Sequence, residues 1–530
     1  MTKPASPTGP GSAPVAGDPA HRRLPFADAV SMFWHAMDEA GPRTALIDGD
    51  RRISYADYGR AVAAVAQRLT HIGVAGERVA VLIPNSIEAN IAIYAALAAG
   101  AQVTMLNPAY TASELAPLLA SSTPRAMLVR AGFEQHAPAA ARAQGIEDLI
   151  ALGEGDLALE ALVAAEAPRP TVPIDAETMA TLMFTGGTTG IPKGVERPHR
   201  TLMNMVAGME EAWPTRLDDE MWLNVAPTSH VWGFLMGCMN PVYSRSPLVI
   251  IPRFHPDLVL EAVERNGVTV FSGGPAAIYV GLLASDRLAA ADLSTMRVCP
   301  GGGSSFLLET LKAWEQRVGV PILEAFGSTE AGPITANPVD GTHRFGTVGR
   351  PLTGIELQVV DLADQEKILA VGEVGEIRIR GPRVVSRYRG DAEGHPEGWL
   401  CTGDVGVLDE AGFLTLVDRK KDMLIVNGFN VYPREVEEVL ARHPAVAEAA
   451  VVGIPDERKG EVPVAFAMLR RPGAVTGEEL LSFCAEHLVA YKLPQRVALV
   501  DAIEKTAANK VDRKRLAQIA IQMDADGEIG

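Results

Sequence analysis

Cysteine is scarce in this chain, four in 530 residues. Cys238, Cys299, Cys401 and Cys484 lie far apart and form no CxxC pair, which argues against a disulfide framework or a zinc site and for a reduced, cytoplasmic compartment. Excess positive charge is lacking as well. Lys and Arg number 48 against 65 Asp and Glu, a net charge of −17, which disfavours nucleic acid and anionic membrane surfaces as partners. Long apolar runs are absent too. The uncharged stretch from Ala89 to Pro108 is broken by Gly100, Gln102, Thr104 and Asn107 and reads as a buried helix and strand, not as a span that integrates into a membrane. Residues 1–20 have no signal-peptide apolar core and, rich in Pro, Gly, Ala and Ser, read as a disordered tail. Residues 521–530 end in an acidic tail without a lipidation signal. No repeat is visible.

What is present is an ordinary globular composition, 47% hydrophobic and 21% charged, in a chain long enough for about two to four domains. From Thr44 to about Arg350 short apolar runs alternate with helical patterns. Strands are expected at Arg78–Ile83, Val103–Leu106, Leu248–Ile251, Val268–Ser272, Met296–Cys299 and Pro321–Ala325, and helices at Ile87–Ala99, Pro256–Asn266, Pro275–Ala284 and Phe306–Val318. That rhythm indicates an α/β fold of layered, mostly parallel sheets, whose ligands gather at the carboxyl ends of strands. Gly354 to Val417 is strand-rich, with Glu373–Arg380 alternating, and reads as a small β-unit. A charged joint, Asp418 to Asp422, leads into a compact α+β domain with helices at Pro433–Arg442 and Glu478–Leu488 and strands at Ala449–Gly453 and Val462–Met468. The expected divisions are 1–20, 21–420, 421–520 and 521–530.

The strongest local signal runs from Thr181 through Thr185-Gly186-Gly187-Thr188-Thr189-Gly190 to Lys193-Gly194. A buried strand opens into glycines, hydroxyls and one lysine, the chemistry of a polyphosphate cradle. It lacks the Gly-x-x-x-x-Gly-Lys-Ser/Thr order of the Walker loop. Taken alone, a surface Gly/Thr loop is the simpler reading. Further clusters follow in order: Gly301-Gly302-Gly303, Phe326-Gly327-Ser328-Thr329-Glu330, Thr402-Gly403-Asp404, Asp418-Arg419-Lys420-Lys421-Asp422, Asn427-Gly428-Phe429-Asn430 and Lys510.

Together these clusters resemble the adenylate-forming superfamily, which includes acyl-CoA synthetases, 4-coumarate–CoA ligases, firefly luciferase and peptide-synthetase adenylation domains. The resemblance spans about residue 25 to residue 515. It implies a large ATP- and acyl-binding domain, followed by a small mobile domain on a hinge at Lys421. It further implies that the Thr185–Lys193 loop holds the β- and γ-phosphates, that Gly301–Gly303 lies beside adenine and that Phe326, where tyrosine is usual, stacks on it. Thr329 would donate to the α-phosphate, Glu330 would hold Mg²⁺, Asp404 would accept both ribose hydroxyls and Arg419 would add a ribose or phosphate contact. Lys510 is implied as the catalytic lysine; by charge alone Lys505 and Lys514 are its equals. His230 would line the carboxylate pocket, with Trp232 and Phe234 either lining the acyl pocket or simply core. Asn427, Gly428 and Phe429 would flank the pantetheine of coenzyme A. His199 reads as structural, and Cys299 and Cys401 as small buried hydrophobes.

The physical logic is consistent. A carboxylate attacking the α-phosphate of ATP brings anion to anion, so the site must supply cations and directed donors. The expected activity is an AMP-forming ligase that makes an acyl-adenylate from a fatty or aryl monocarboxylate and passes the acyl group to coenzyme A, with ATP, Mg²⁺ and coenzyme A as cofactors. Loading of a carrier protein is the alternative, disfavoured because no acid follows Trp222–Ala226 to pair with a substrate amine. A degenerate nucleotide-binding protein is a third, and a homodimer is left open.

Overall fold

The computed structural model describes residues 24–133, 136–185, 192–391, 394–456, 458–506 and 511–525. The expected tail of residues 1–20, residues 526–530, Gly186 to Gly190 and Lys510 lie outside them, while residues 521–525 of the expected C-terminal tail continue the helix Arg513–Ala525.

Two mostly parallel sheets carry the first half. The six-stranded one runs Asp148–Leu152, Ala126–Arg130, Arg78–Leu82, Gln102–Met105, Met179–Phe184, Gly194–Pro198, with only the last pair antiparallel. The five-stranded one runs Val270–Ser272, Trp222–Asn224, Leu248–Ile250, Thr44–Asp48, Arg51–Ser54, again with only the last pair antiparallel. One core joins Val79, Val81 and Val103 of the first sheet to Leu46, Trp222 and Leu248 of the second through helical residues such as Ile91, Tyr94 and Met205. The helix Ile87–Ala98, capped by the Ser86 hydroxyl, is buried along its whole length. That accounts for its lack of charge. Its one carboxylate, Glu88, is neutralised by Arg51 at 2.5 Å and Arg130 at 3.4 Å.

A third sheet pairs Cys299–Gly302 parallel to Ile322–Ser328, then adds Gly332–Ala336 and Arg350–Pro351 antiparallel. The fourth is the expected β-unit, Glu356–Val360, Gly375–Arg380, Leu400–Leu408 and Leu414–Arg419, all antiparallel. After Arg419 the chain changes sheets. Leu424–Val426 and Phe429–Val431 join Gly460–Leu469, Val446–Asp456 and Arg496–Val500, covered by the helices Pro433–Ala441, Gly477–His487 and Arg513–Ala525 around cores of their own.

Two expectations need correction. The strand placed at Met296–Cys299 instead covers Cys299–Gly302, because the glycines there lie flat against Ile322 to Ala325; Val298 makes only a lone bridge to Val270. Gly375–Arg380 does not alternate but is buried along most of its length. Trp399 covers Arg378 at 4.8 Å, and Lys420 and Gln365 engage Glu376, so the polar face is roofed over.

Candidate functional site

The two strands that flank the glycine run, Met179–Phe184 and Gly194–Pro198, form an antiparallel pair. The Thr185 N–H donates to the Lys193 carbonyl at 3.0 Å while the Lys193 N–H donates to Thr185 Oγ1 at 3.2 Å. The strand therefore delivers Thr185 and Lys193 side by side at the loop's mouth. Gly186, Gly187, Thr188, Thr189 and Gly190 lie outside the described residues.

Glu330 stands in the turn between Ile322–Ser328 and Gly332–Ala336, with its N–H on Ser328 Oγ at 3.2 Å. Thr329 shares that turn, and Gly327 and Ser328 end the strand. Tyr388, which no motif marks, links this turn to that pair of strands. Its hydroxyl donates to Glu330 Oε1 at 2.9 Å, and the Lys193 ammonium lies 4.5 Å from its ring centroid. Burial and the Glu330 charge push the Tyr388 phenol up, so it stays a donor. His395 meets the same ring edge-on at 5.8 Å; burial pulls its pKa down, and its Nε2 is buried with no partner among the described residues. Arg197, in the strand Gly194–Pro198, is 1% exposed, with Nε and Nη2 unpartnered among the described residues. Burial lowers its pKa to about 10, and the Glu330 charge opposes that shift.

The expected ribose pair also meets. Asp404 and Arg419 are direct neighbours across two strands, and Arg419 Nε donates to Asp404 Oδ1 at 3.1 Å. The next residue, Lys420, is fixed by its N–H to the Gly403 carbonyl at 2.9 Å and by its ammonium to Glu376 at 2.7 Å. Lys421 is the first residue past that anchor, and burial lowers its pKa.

Of the residues expected around the acyl group, His230 precedes the short helix Val231–Phe234. Trp232 donates from Nε1 to Ser272 Oγ at 3.0 Å and lies on the glycine strand, where a Cβ on Gly302 would come within 2.7 Å of its ring. Gly302 is therefore needed to seat the indole, and Gly301 to clear Ile322 and Phe306. Of the three glycines only Gly303 is exposed. Phe234 is 1% exposed and belongs to the main core cluster. Phe326 also packs into a core cluster, with Ile334 and Val348, at 8% exposure, so only a sliver of its ring is open for stacking. Cys299 is buried as expected; Cys401 is corrected to partly exposed. His199 is structural, its Nδ1 accepting the Ala29 N–H at 3.2 Å.

Asn427 and Gly428, at φ 51° and 80°, form the two-residue turn of a hairpin in which Val426 faces Phe429. Asn-Gly is the sequence that favours such a turn. Phe429 is 54% exposed and stacks on Tyr491 at 4.6 Å. Lys510 lies outside the described residues, but its flanks are tied down. Lys505 pairs with Glu448 at 3.0 Å, and Arg513 with Glu437 at 2.6 Å. Arg434, in the first turn of Pro433–Ala441, docks on the segment that follows the strand Cys299–Gly302, donating to Ser305 Oγ and the Phe306 carbonyl at 3.3 Å each. It also donates to the Leu416 carbonyl at 3.0 Å. Behind it, Glu324 is buried and its pKa raised to about 8 by desolvation, with Arg434 opposing.

Among the described residues no cluster of His, Cys, Asp and Glu could hold a metal unaided. A lone carboxylate such as Glu330 suits a hard cation that takes its other ligands from phosphate and water, which fits Mg²⁺.

Comparison with known proteins matches residues 33–389 to the family model of AMP-binding enzymes and residues 435–510 to that of the AMP-binding enzyme C-terminal domain. A long-chain-fatty-acid–CoA ligase of Salmonella typhimurium is 30% identical over 93% of this chain and 94% of its own. The 3-[(3aS,4S,7aS)-7a-methyl-1,5-dioxo-octahydro-1H-inden-4-yl]propanoyl:CoA ligase of Mycobacterium tuberculosis is 34% identical over 90% of this chain and 96% of its own. Among solved structures, ATP-bound MatB from Rhodopseudomonas palustris superposes with a TM-score of 0.85 at 29% identity, over 93% of this chain and 99% of that one.

Proposed function

The chain belongs to the family of AMP-binding enzymes, and from that membership we propose that it is an acyl-CoA ligase. It activates a carboxylic acid with MgATP to an acyl-adenylate and then transfers the acyl group to coenzyme A, releasing AMP. The observation that carries this reading is the meeting, at one site, of Lys193 and Glu330 around Tyr388 in a chain that matches CoA ligases nearly end to end. Carrier-protein loading is not favoured, since those full-length relatives are CoA ligases.

In this reading Lys193, Thr185 and the loop between them bind the β- and γ-phosphates, and Glu330 holds Mg²⁺, which neutralises phosphate charge. Asp404 accepts the ribose hydroxyls, with Arg419 keeping its carboxylate oriented. Lys510 neutralises charge between carboxylate and α-phosphate. His230 and Trp232 line the acyl side. The substrate is a fatty or aryl monocarboxylate; the two relatives, one named for long fatty acids and one for a bicyclic propanoate, support bulky apolar acids. The division near 420 is supported by the change of sheet between Arg419 and Leu424. Lys421 is the swivel there, and the turn at Gly428 is the part of the second domain that meets pantetheine after rotation. Four free cysteines support a reduced, cytoplasmic setting, and no described helix is long and apolar enough to cross a membrane.

The test is incubation with ATP, Mg²⁺ and a panel of fatty, aryl and amino acids, with and without coenzyme A, measuring pyrophosphate, AMP and thioester. Thioester from one acid class is expected. Pyrophosphate without thioester would replace coenzyme A by another acceptor, and no turnover with any acid would defeat the reading.

A further inference from the structure

Glu330 and Lys193 come from different sheets, and the segment around Tyr388 fastens to both. The Val385 N–H donates to the Glu330 carbonyl at 3.0 Å. At the other end the Arg389 N–H donates to the Gly194 carbonyl at 2.8 Å, and the Arg389 guanidinium bonds Glu196 at 2.6 Å and the Ser121 carbonyl at 3.0 Å. The backbone from Val385 to Arg389 is thus a crossbeam between the Glu330 turn and the strand that follows Lys193. Tyr388 projects from its middle, with its hydroxyl on the carboxylate and its ring face under the ammonium.

A carboxylate and an ammonium held on the same side chain attract one another, and in an ion pair each would neutralise the other. Among the described contacts these two do not pair. The ring stands between them and satisfies each in a way that leaves charge over. One hydroxyl occupies one carboxylate oxygen, and the weak attraction of a ring face holds the ammonium without neutralising it.

We propose that Tyr388 is a positioning residue that keeps Glu330 and Lys193 apart and aimed before nucleotide arrives, and thereby sets the affinity for magnesium-bound polyphosphate. This rests on the ligase reading above. Its two halves separate by chemistry: the hydroxyl acts on Glu330 and hence on the metal-dependent part of binding, and the ring acts on Lys193 and hence on phosphate itself.

The test uses the full-length protein with Tyr388→Phe, Tyr388→Leu, Glu330→Gln and the double variant of Tyr388→Phe with Glu330→Gln. Titration calorimetry measures ATP binding without Mg²⁺ and across rising Mg²⁺. Thioester formation from presynthesised acyl-adenylate and the Tm are followed in parallel. Tyr388→Phe is expected to weaken the Mg²⁺-dependent step on the order of tenfold, as for losing a hydrogen bond to a charged group, with Mg²⁺-free ATP binding within about twofold of wild type. Tyr388→Leu weakens both. Adding Tyr388→Phe to Glu330→Gln costs little more, because the two act through one carboxylate. The readout that separates positioning from loosening is Tyr388→Phe alone, whose loss in thioester formation and in Tm is expected to be far smaller than its loss in the Mg²⁺-dependent step. A Tyr388→Phe protein with unchanged Mg²⁺ dependence would overturn the proposal. So would equal losses in metal-dependent binding and in thioester formation, the pattern of general loosening. A wild-type protein that binds no ATP at all would overturn the ligase reading, and this proposal with it.

Discussion

At the scale of single residues, the site divides into positions that a motif announces and positions that only contact reveals. Glu330, Asp404 and Arg419 were legible because each stands in a short run whose neighbours narrow its role. Tyr388, His395 and Arg197 were not. Tyr388 meets Glu330 58 residues away in the chain, a lone tyrosine between arginines carries no spacing that points to chemistry, and neither His395 nor Arg197 stands in a run that narrows its role. The lysines near the C-terminus show a middle case: charge does not separate Lys505, Lys510 and Lys514, and only the family resemblance selects Lys510, while Lys505 is engaged by Glu448. Lys510→Ala should therefore lower adenylation by on the order of a hundredfold or more while thioester formation from presynthesised acyl-adenylate continues. Lys505→Ala should stay within about twofold in both, since exposed ion pairs contribute little. Pyrophosphate release and thioester formation, assayed separately, check both expectations. Asp404→Asn keeps the volume but weakens acceptance of hydroxyl and guanidinium donors, so KM for ATP should rise on the order of tenfold with little change in Tm.

At the scale of elements, helices and central strands were readable to within a few residues because periodicity and burial agree. Pro256–Asn266 begins and ends where the sequence placed it. One failure falls where glycine does more than permit a turn, the other where Trp399 and Lys420 cover the polar face of Gly375–Arg380. Gly301 and Gly302 look like a ligand loop but pair as strand, since their missing side chains make room for Ile322, Phe306 and Trp232. Gly301→Ala should accordingly cost about 1–3 kcal/mol through overpacking, seen as a lowered denaturation midpoint without nucleotide. Gly428 is the contrast. An added Cβ would meet nothing within 4 Å, so Gly428→Ala opposes only the φ of 80°. It should cost about 1 kcal/mol.

At the scale of the molecule, the second domain is held in its present arrangement through Arg434, with Glu324 buried behind it. Burial pushes the Glu324 carboxyl up to about 8 from its ordinary 4.5. The native state therefore retains a proton that the unfolded chain releases, and stability is full below 4.5 and declines as pH rises through 8. Glu324→Gln removes that loss. Its stability relative to wild type should climb by up to about 1.4 kcal/mol per pH unit across that window, checked by urea denaturation from pH 5 to 9. None of this was visible in sequence, because a glutamate in a strand gives no sign of what covers it. Arg434 also grips the body of the protein largely through the carbonyls of Phe306 and Leu416. Every residue supplies a carbonyl, so the receiving side of this dock can drift through substitution over evolutionary time without losing its hold. The constraint then falls on one codon, that of the arginine.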